Sequence, residues 1–349
     1  MNKLVVLLLL ASSWACANAE THVSGPVTAN TTWELAHSPY VVDSAVILDS
    51  DVVLTIEPGV TVLIADDEFG IAVTDGQLIC NGTEQSPIRF TSLTPPAEWY
   101  GGADGALGFV TGDWSEISHT EIEHVRTGIV VDGPLRASHI SIKDCMIGIR
   151  CFAAPLSLDN STIADSYTGI EGANSSMVAV TGCTIEGAGF IGIDLDFTCS
   201  NSTATDCTFR DNVTGVAGPM AIEGSSFNDN SYCGFVIFRY GSVSESSFSG
   251  NEGTQIAILG AQDWATIQIV RNNFNVTGGY AITVNPGCTV PTVDARGNYW
   301  GTVDPAVVAA RIVDAIDDPS LITVVDYLPI SDVVSTSIMS FSGVKAMFR

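Results

Sequence analysis

A small set of charged residues offers the clearest candidate for chemistry in this chain: Arg150, Glu171, Asp194 and Asp196. Two carboxylates about 5 Å apart can serve as acid and nucleophile on a glycosidic bond, or can bind Ca²⁺ through their oxygens. The alternative is an ion-pair ladder on a solvated surface. The sequence favours that alternative, because a long acidic chain forms such ladders without a function, so the four residues remain weak catalytic candidates.

Aromatic residues fall near these charges and suggest a ligand. Phe152 and Phe238 occupy the same phase of the repeat described below as Asp196, and Arg239 and Tyr240 directly follow Phe238. Aromatic ring faces pack well against flat, partly apolar ligands such as sugars. These four residues are therefore the ligand-binding candidates. The sequence assigns no metal-binding or cofactor-binding residue.

A repeated phrase sets the positions of all these residues. It has the form apolar–x–x–(Cys/Ser/Thr/Asn)–x–(Ile/Phe), and a second phrase, (Gly/Ala/Gln)–(Ile/Val/Phe), follows each copy. A period of about 22 residues indicates one structural unit stacked on itself. The copies of the first phrase begin at Ile117, Ile142, Leu158, Val180, Ala204, Ile222, Val243 and Ile269.

The composition of each unit predicts strands. Short apolar alternations, rich in Ile, Val, Phe and Thr, are separated by Gly, Asn, Asp and Ser, and none has helical spacing. A unit of this length is too short for a strand–helix–strand crossover, which needs about 30 residues. It is long enough for one coil of three short strands. We therefore predict an all-β, right-handed parallel β-helix.

The alternation also predicts which side chains face the interior. In the strand that contains each second phrase, the residue after Gly and the one two positions further on face inward, so the residue between them must point outward. This register stacks Arg150, Glu171 and Asp194 in successive coils, about 4.8 Å apart. The predicted inward column is Ile129, Ile149, Ile170, Ile193, Val216, Phe235, Ile256 and Ile282.

Eight cysteines follow the export segment described below, and their role is left open between thiols and disulfides. Cys145, Cys183 and Cys207 are assigned to one inward column together with Ser and Thr. Residues in adjacent coils lie within the Cα separation of a disulfide, so Cys183 and Cys207 can bond. Cysteine is equally a small buried apolar residue. His119 and His124, with Glu121 and Glu123, raise a metal site as an alternative to a solvated turn.

Several phrases outside the repeats resemble a known group of proteins. Residues 52–62 read Val-Val-Leu-Thr-Ile-Glu-Pro-Gly-Val-Thr-Val, residues 87–92 read Pro-Ile-Arg-Phe-Thr-Ser, and residues 298–305 read Asn-Tyr-Trp-Gly-Thr-Val-Asp-Pro. With Trp99-Tyr-Gly-Gly102 they resemble secreted bacterial and archaeal β-helix proteins of pectate-lyase-like architecture, over residues 41 to about 330. The resemblance implies the fold. It is weak for function, because the architecture hosts lyases, hydrolases, epimerases and adhesins.

The ends of the chain indicate export and caps. Residues 1–19 have the form of a signal peptide, with Lys3, an apolar run and the cleavage site Ala17-Asn-Ala19. We expect the β-helix domain over residues 20–330 and a flexible tail over 331–349. Asp304-Pro305 predicts the start of a capping helix running to Ile316, followed by a final strand over 323–328.

Charge and composition exclude some functions. The chain has 13 Lys and Arg against 39 Asp and Glu, a net charge of −26, which is the wrong sign for nucleic-acid binding. No apolar stretch is long enough to span a membrane. We expect a monomer that is secreted, extracellular or periplasmic, with attachment to the cell surface left open.

The predicted function is that of a non-catalytic, secreted or cell-surface repeat protein that binds glycans or partners on the cell envelope. Signature phrases of the enzymes with this architecture are missing, among them the Asp-Pro-His-Asp of alginate epimerases and the Trp-x-Asp-His of pectate lyases. The alternative is a polysaccharide lyase or glycoside hydrolase that acts on an acidic polysaccharide. No cofactor is required by either interpretation, although Ca²⁺ held by carboxylates stays open.

Overall fold

The computed structural model describes residues 19–49, 51–65, 68–94, 103–109, 115–262 and 265–333. In this part of the chain the fold is a parallel β-solenoid, as predicted. A complete coil contributes one strand to each of three faces, which we call the first, second and third face in chain order. The first face is a 13-stranded sheet, and the second and third faces together form a 23-stranded sheet.

The strands of the first face are Thr31–Trp33, Val53–Ile56, Gln77–Asn81, Ser115–Ser118, Leu135–Ser138, Pro155–Asp159, Met177–Thr181, Ser202–Thr205, Met220–Glu223, Gly241–Ser244, Ile267–Val270, Thr292–Asp294 and Val324–Asp326. Those of the second face are Thr61–Ile64, Ile88–Ser92, Thr120–Glu123, Ser141–Lys143, Thr162–Ala164, Thr184–Glu186, Thr208–Arg210, Ser226–Asn228, Ser247–Ser249 and Asn273–Asn275. Those of the third face are Phe69–Val73, Ala103–Phe109, Val125–Val131, Ile147–Phe152, Thr168–Ala173, Ile191–Leu195, Thr214–Ala217, Cys233–Phe238, Thr254–Leu259, Tyr280–Val284 and Ile312–Val313. Two strands, Thr21–Val27 and Tyr40–Leu48, open the solenoid, with a 3-10 turn at Leu35–His37 between them.

The predicted inward column lines a dry interior. Each of its members, from Ile129 to Ile282, is fully buried. On the outward side, Arg150 lies opposite Glu171 in the next coil, and Glu171 lies opposite Asp194. The register predicted for the third face is therefore confirmed.

A stack of aromatic rings fills the interior behind the second face. Successive ring centroids lie between 4.7 and 5.1 Å apart, close to the spacing of adjacent parallel strands. The stack continues a column that holds isoleucine in the four preceding coils, from Ile122 to Ile185, and it packs one ring per coil. Its members are Phe209, Phe227, Phe248, Phe274 and Trp300.

A ladder of asparagines satisfies the buried backbone at the corner between the second and third faces. The side-chain amides of Asn212, Asn230 and Asn251 each donate to a carbonyl one coil back, at 3.1 Å. The amide oxygens of Asn230 and Asn251 accept from the backbone N–H of the preceding asparagine in the ladder. Buried backbone groups need such partners, so the ladder holds this corner in one geometry.

The assignment of Cys145 to the column of Cys183 and Cys207 is wrong. Ile140 occupies that position in its coil, while Cys145 lies at the next corner, where its backbone N–H donates to Ser166 Oγ at 3.3 Å. The phrase that begins at Ile142 is therefore a chance match to the repeat. It lies one corner further along the coil than the true phrase, which ends at Ile142. The eight cysteines of the described residues are buried free thiols.

The C-terminal helix begins as predicted and ends early. Asp304 Oδ1 accepts from the backbone N–H of Ala306 at 2.9 Å, and the helix covers Pro305–Ala309 only. The prediction that it reaches Ile316 is wrong, because Ile312–Val313 instead pairs with the third-face strand Tyr280–Val284. That pairing covers an open sheet edge.

The final strand is confirmed at Val324–Asp326. The predicted signal peptide and most of the predicted tail lie outside the described residues. Within the described part of the chain, no helix is long and apolar enough to cross a membrane.

Candidate functional site

The outer surface of the third face carries a cleft of about 510 Å³, which we call the Asp194 cleft. It opens where the strands Ile191–Leu195, Cys233–Phe238 and Thr254–Leu259 end. Carboxylate, guanidinium and aromatic groups meet there. The lining residues are Asp194, Leu195, Asp196, Phe197, Phe238, Arg239, Leu259 and Gly260.

The coil between the two walls of this cleft explains why the space exists. Asp194 lies opposite Ala217, and Ala217 lies opposite Val236 in the following coil. The intervening coil continues with Gly218 and Pro219, so it places only small side chains between the two walls. Gly218 has φ +138°, and a Cβ added there would lie 2.6 Å from the Cβ of Leu195. Glycine at this position therefore lets the two coils pack closely beneath the cleft.

The aromatic wall of the cleft is exposed and braced by a cation. Phe197 is 55% exposed, and the guanidinium carbon of Arg239 lies 4.4 Å from its ring centroid. An arginine over a ring face is attracted by the ring quadrupole, so this contact orders both side chains. Arg239 has φ +65°, a left-handed backbone conformation that turns the chain at the end of its strand. Sequence reasoning found Arg239 and missed Phe197, which lies in a turn outside the alternation.

Asp196 is held by a set of hydrogen bonds. Its Oδ1 accepts from the backbone N–H of Thr198 at 2.7 Å and from the Thr198 hydroxyl at 2.5 Å, and its Oδ2 accepts from the backbone N–H of Asn174 at 3.2 Å. Partial burial raises the pKa of Asp196, but these hydrogen bonds outweigh it and lower the pKa below its ordinary value. Asp196 is therefore ionised over a wide pH range.

Asp194 has the opposite environment. It is half-buried, and no described residue donates a hydrogen bond to its carboxylate. Burial raises its pKa above the ordinary value, and the charges of Glu171 and Asp196 raise it further. The cleft thus holds two carboxyl groups with different proton affinities on one strand end.

The structure brings some of the predicted site residues together and separates others. Asp194, Asp196, Phe238 and Arg239 line the cleft. Glu171 lies one coil away and is bound by Arg150, with Nε and Oε2 2.8 Å apart. This pair is the Arg150–Glu171 step of the predicted ladder and lies outside the cleft, whereas Asp194 has no cation paired with it among the described residues. Phe152 and Tyr240 also lie outside the cleft lining.

The metal alternative around His119 and His124 gains no support. Glu123 is buried between two cations, with Lys143 Nζ 2.9 Å from Oε2 and an ion pair to Arg89. The His119 ring stacks on His139, with centroids 4.8 Å apart. Among the residues described, no group of three or more His, Cys, Asp or Glu is placed to hold a metal ion.

Comparison with known proteins defines the class. Residues 105–274 match the family described as a right handed beta helix region, so the protein is a right-handed parallel β-helix. The periplasmic alginate epimerase AlgG has a TM-score of 0.59 and 11% identity, over 83% of this chain and 77% of that one. A double mutant of the same epimerase matches over the same shares, with a TM-score of 0.52 and 11% identity.

An alginate lyase from Paenibacillus covers 72% of this chain and 88% of its own, at 13% identity and a TM-score of 0.41. At 11% identity the epimerase likeness shows the fold alone. No curated protein sequence matches this chain.

Proposed function

We propose that this protein binds a glycan through the Asp194 cleft. The exposed ring of Phe197 carries the proposal, because it stands beside Phe238 at an opening that also presents Asp194 and Arg239. A sugar ring offers apolar C–H faces and polar hydroxyl edges. Aromatic side chains stack on the faces, while a carboxylate and a guanidinium accept and donate hydrogen bonds at the edges.

Two further observations support this ligand class. The epimerase with the same fold is named for a polysaccharide, alginate. Residues 1–19 have the form of a signal peptide, and we propose that the protein works outside the cytoplasm, where glycans of envelopes and matrices are found.

Isothermal titration calorimetry against a panel of oligosaccharides tests the proposal. Phe197→Ala and Phe238→Ala are each expected to weaken binding roughly three- to tenfold, because each removes one stacking ring. Phe152→Ala is the matched control, since it removes the same side chain from the same face outside the cleft. Binding that survives both cleft substitutions unchanged, or the lack of any bound glycan, would contradict the proposal.

A second candidate function, glycoside hydrolysis, rests on the contrast between the two carboxyl groups. A raised pKa suits Asp194 as the acid that protonates the leaving glycosidic oxygen, while water supplies the hydroxyl to the other sugar. The ionised Asp196 would stabilise positive charge at the breaking bond. Both of its oxygens already accept hydrogen bonds from Thr198 and Asn174, which leaves it poorly placed to attack, so binding ranks first.

Release of reducing sugar, measured with and without Ca²⁺, separates the two candidates. We expect no turnover by the native protein. Turnover that Asp194→Asn abolishes, while the affinity for the same glycan is retained, would put hydrolysis first.

A further inference from the structure

We infer that the glycan is neutral and that it crosses the third face, from the Asp194 cleft to a second row of aromatic side chains at the opposite margin. This inference rests on the proposed function and adds the ligand's charge class and a second contact site. Three observations carry it: the second row, the low floor between the two sites, and the distribution of cations.

The second row consists of Tyr167, Phe190 and Tyr232, and we call it the edge row. Each residue directly precedes a third-face strand. Phe190 N–H donates to the Tyr167 carbonyl at 2.9 Å, and the two rings stack with centroids 5.6 Å apart and planes 13° apart. The exposed fractions are 39%, 45% and 62% in chain order. The coil between Phe190 and Tyr232 carries the half-buried Val213 at this position, so the exposed side chains form one apolar patch of the kind that marks contact sites.

The edge row and the cleft stand at the two ends of the same strands. Phe190 precedes the strand Ile191–Leu195, and Phe197 follows it. Seven residue steps at about 3.3 Å each separate them by roughly 20 Å. A ligand that touches both sites must be an oligosaccharide rather than a single sugar.

The floor between the two sites is low enough for a chain to lie across it. Its outward side chains in the central coils are all buried against the sheet: Thr214, Ala217, Cys233, Val236, Thr254 and Ala257. Ala217, Cys233, Val236 and Ala257 pack together in a small apolar cluster on the outside of the solenoid, and Ile191, Phe238 and Leu259 pack against it. No large side chain rises between the cleft and the edge row in these coils. The floor offers apolar contact to the faces of sugar rings.

The distribution of charge argues against a polyanionic ligand. The described residues contain ten Lys and Arg, and eight of them are ion-paired with Asp or Glu. Of the other two, Arg239 lies over the Phe197 ring and Arg311 donates to the Trp300 carbonyl. Cations that could neutralise a row of carboxylates are therefore already engaged.

Acidic groups surround both contact sites. Asp194 and Asp196 line the cleft, and the exposed Asp165, Asp211 and Asp229 occupy the corner beside the edge row. On a chain of net charge −26, these groups repel uronate chains at ordinary ionic strength. A neutral glycan meets no such repulsion, and its hydroxyls can donate to the same carboxylates.

The test compares ligand length and ligand charge. The probes are neutral hexasaccharides (cello-, laminari-, malto-, xylo- and N-acetylchito-), the matching disaccharides, and hexamannuronate. We expect at least one neutral hexasaccharide to bind more tightly than its disaccharide, and hexamannuronate to bind more weakly. The double variant Phe190→Ala/Tyr232→Ala should weaken the hexasaccharide about tenfold and leave the disaccharide unchanged, because only the longer ligand reaches the edge row.

The outcomes separate this inference from the proposal beneath it. If Phe238→Ala weakens both ligands while the edge-row variant affects neither, the cleft binds glycan and the crossing path is wrong. Tighter binding of hexamannuronate than of every neutral hexasaccharide would overturn the neutral ligand. If no probe responds to Phe238→Ala, the cleft itself is wrong. Phe152→Ala again serves as the control, and unchanged melting temperatures confirm that the exposed edge residues do not act through folding.

Discussion

At the residue scale, Asp194 and Asp196 show how two identical side chains on one strand end acquire different properties. Three hydrogen bonds from Thr198 and Asn174 stabilise the charged form of Asp196. Asp194 has no such donors among the described residues and lies beside two other carboxyl groups. Burial acts on both, but only Asp196 receives compensation. The difference depends on the turn after the strand, which wraps around one carboxylate and leaves the other open to the cleft.

This contrast predicts opposite effects of two matched substitutions on stability. The raised pKa of folded Asp194 favours folding below the ordinary value of 3.8, and that contribution is lost as the pH rises through the folded pKa. Asp194→Asn should therefore raise the melting temperature at neutral pH, because it removes an unfavourable charge. The gain should disappear on acidification, as Asp194 becomes neutral by protonation.

The lowered pKa of folded Asp196 gives the opposite sign. Its ionised form stabilises the fold above pH 3.8, and this contribution is lost as the pH falls through the folded pKa. Asp196→Asn should lower the melting temperature at neutral pH, because it removes the stabilised negative charge. In addition, its amide N–H₂ would face a backbone N–H group that now donates to the carboxylate. Melting curves recorded at several pH values check both substitutions, and shifts of the same sign would show that the two environments are alike.

Four of the eight site residues proposed from the sequence line the cleft, and the alternation along the strands explains why. Alternation along a strand fixes which side chains point outward, so Asp194, Asp196 and Phe238 were found. Phe197 was missed because the turn after Asp196 has no period. Phe152 and Tyr240 lie outside the cleft, because a cleft also requires small side chains in a neighbouring coil, and the coil of Ala217 supplies them beside Asp194 and Phe238.

At the scale of the strand, the register has a sharp test in two adjacent residues. Ile193 is fully buried and Asp194 faces outward. Ile193→Asp should cost more than about 4 kcal/mol, because it places an unpaired charge in a dry column. Asp194→Ala should change the free energy of unfolding by less than about 1 kcal/mol. Equal shifts in urea denaturation would place the strand one residue out of register.

The strands were largely predictable because each inward column repeats one kind of residue in every coil. The errors arose where a second signal competed with the repeat. Ile142 ends the true phrase of its coil and also begins the chance match. The sequence therefore assigned Cys145 to the corner before the second face, whereas Cys145 lies at the corner after it. The helix after Asp304 was extended to Ile316 because its apolar residues fit a helix, whereas the unpaired edge of Tyr280–Val284 takes Ile312–Val313 as a strand. Sequence periodicity carries no information about such competition between elements.

At the scale of the whole molecule, charge and architecture act together. A solenoid exposes a large surface, and on this one most of the described acidic groups are at least partly exposed, whereas the described Lys and Arg side chains are engaged in ion pairs or other contacts. Repulsion between like-charged copies keeps such a surface dispersed. The charge pattern agrees with a monomer and with export. Both remain predictions.

The ring stack and the asparagine ladder make the C-terminal coils of the solenoid different from its N-terminal coils. Rings and asparagine amides reinforce the coils from Phe209 to Trp300, whereas the coils over residues 120–190 carry isoleucine in the ring column and Cys145, Ser166 and Ala188 in the asparagine column. In a stacked repeat each coil is supported only by its neighbours, so local opening begins where that support is weakest. The chain should therefore fray from its N-terminal coils while the later coils stay closed. Native-state hydrogen exchange should find the slowest amides in residues 209–274, and slower exchange in residues 120–190 would reverse this order.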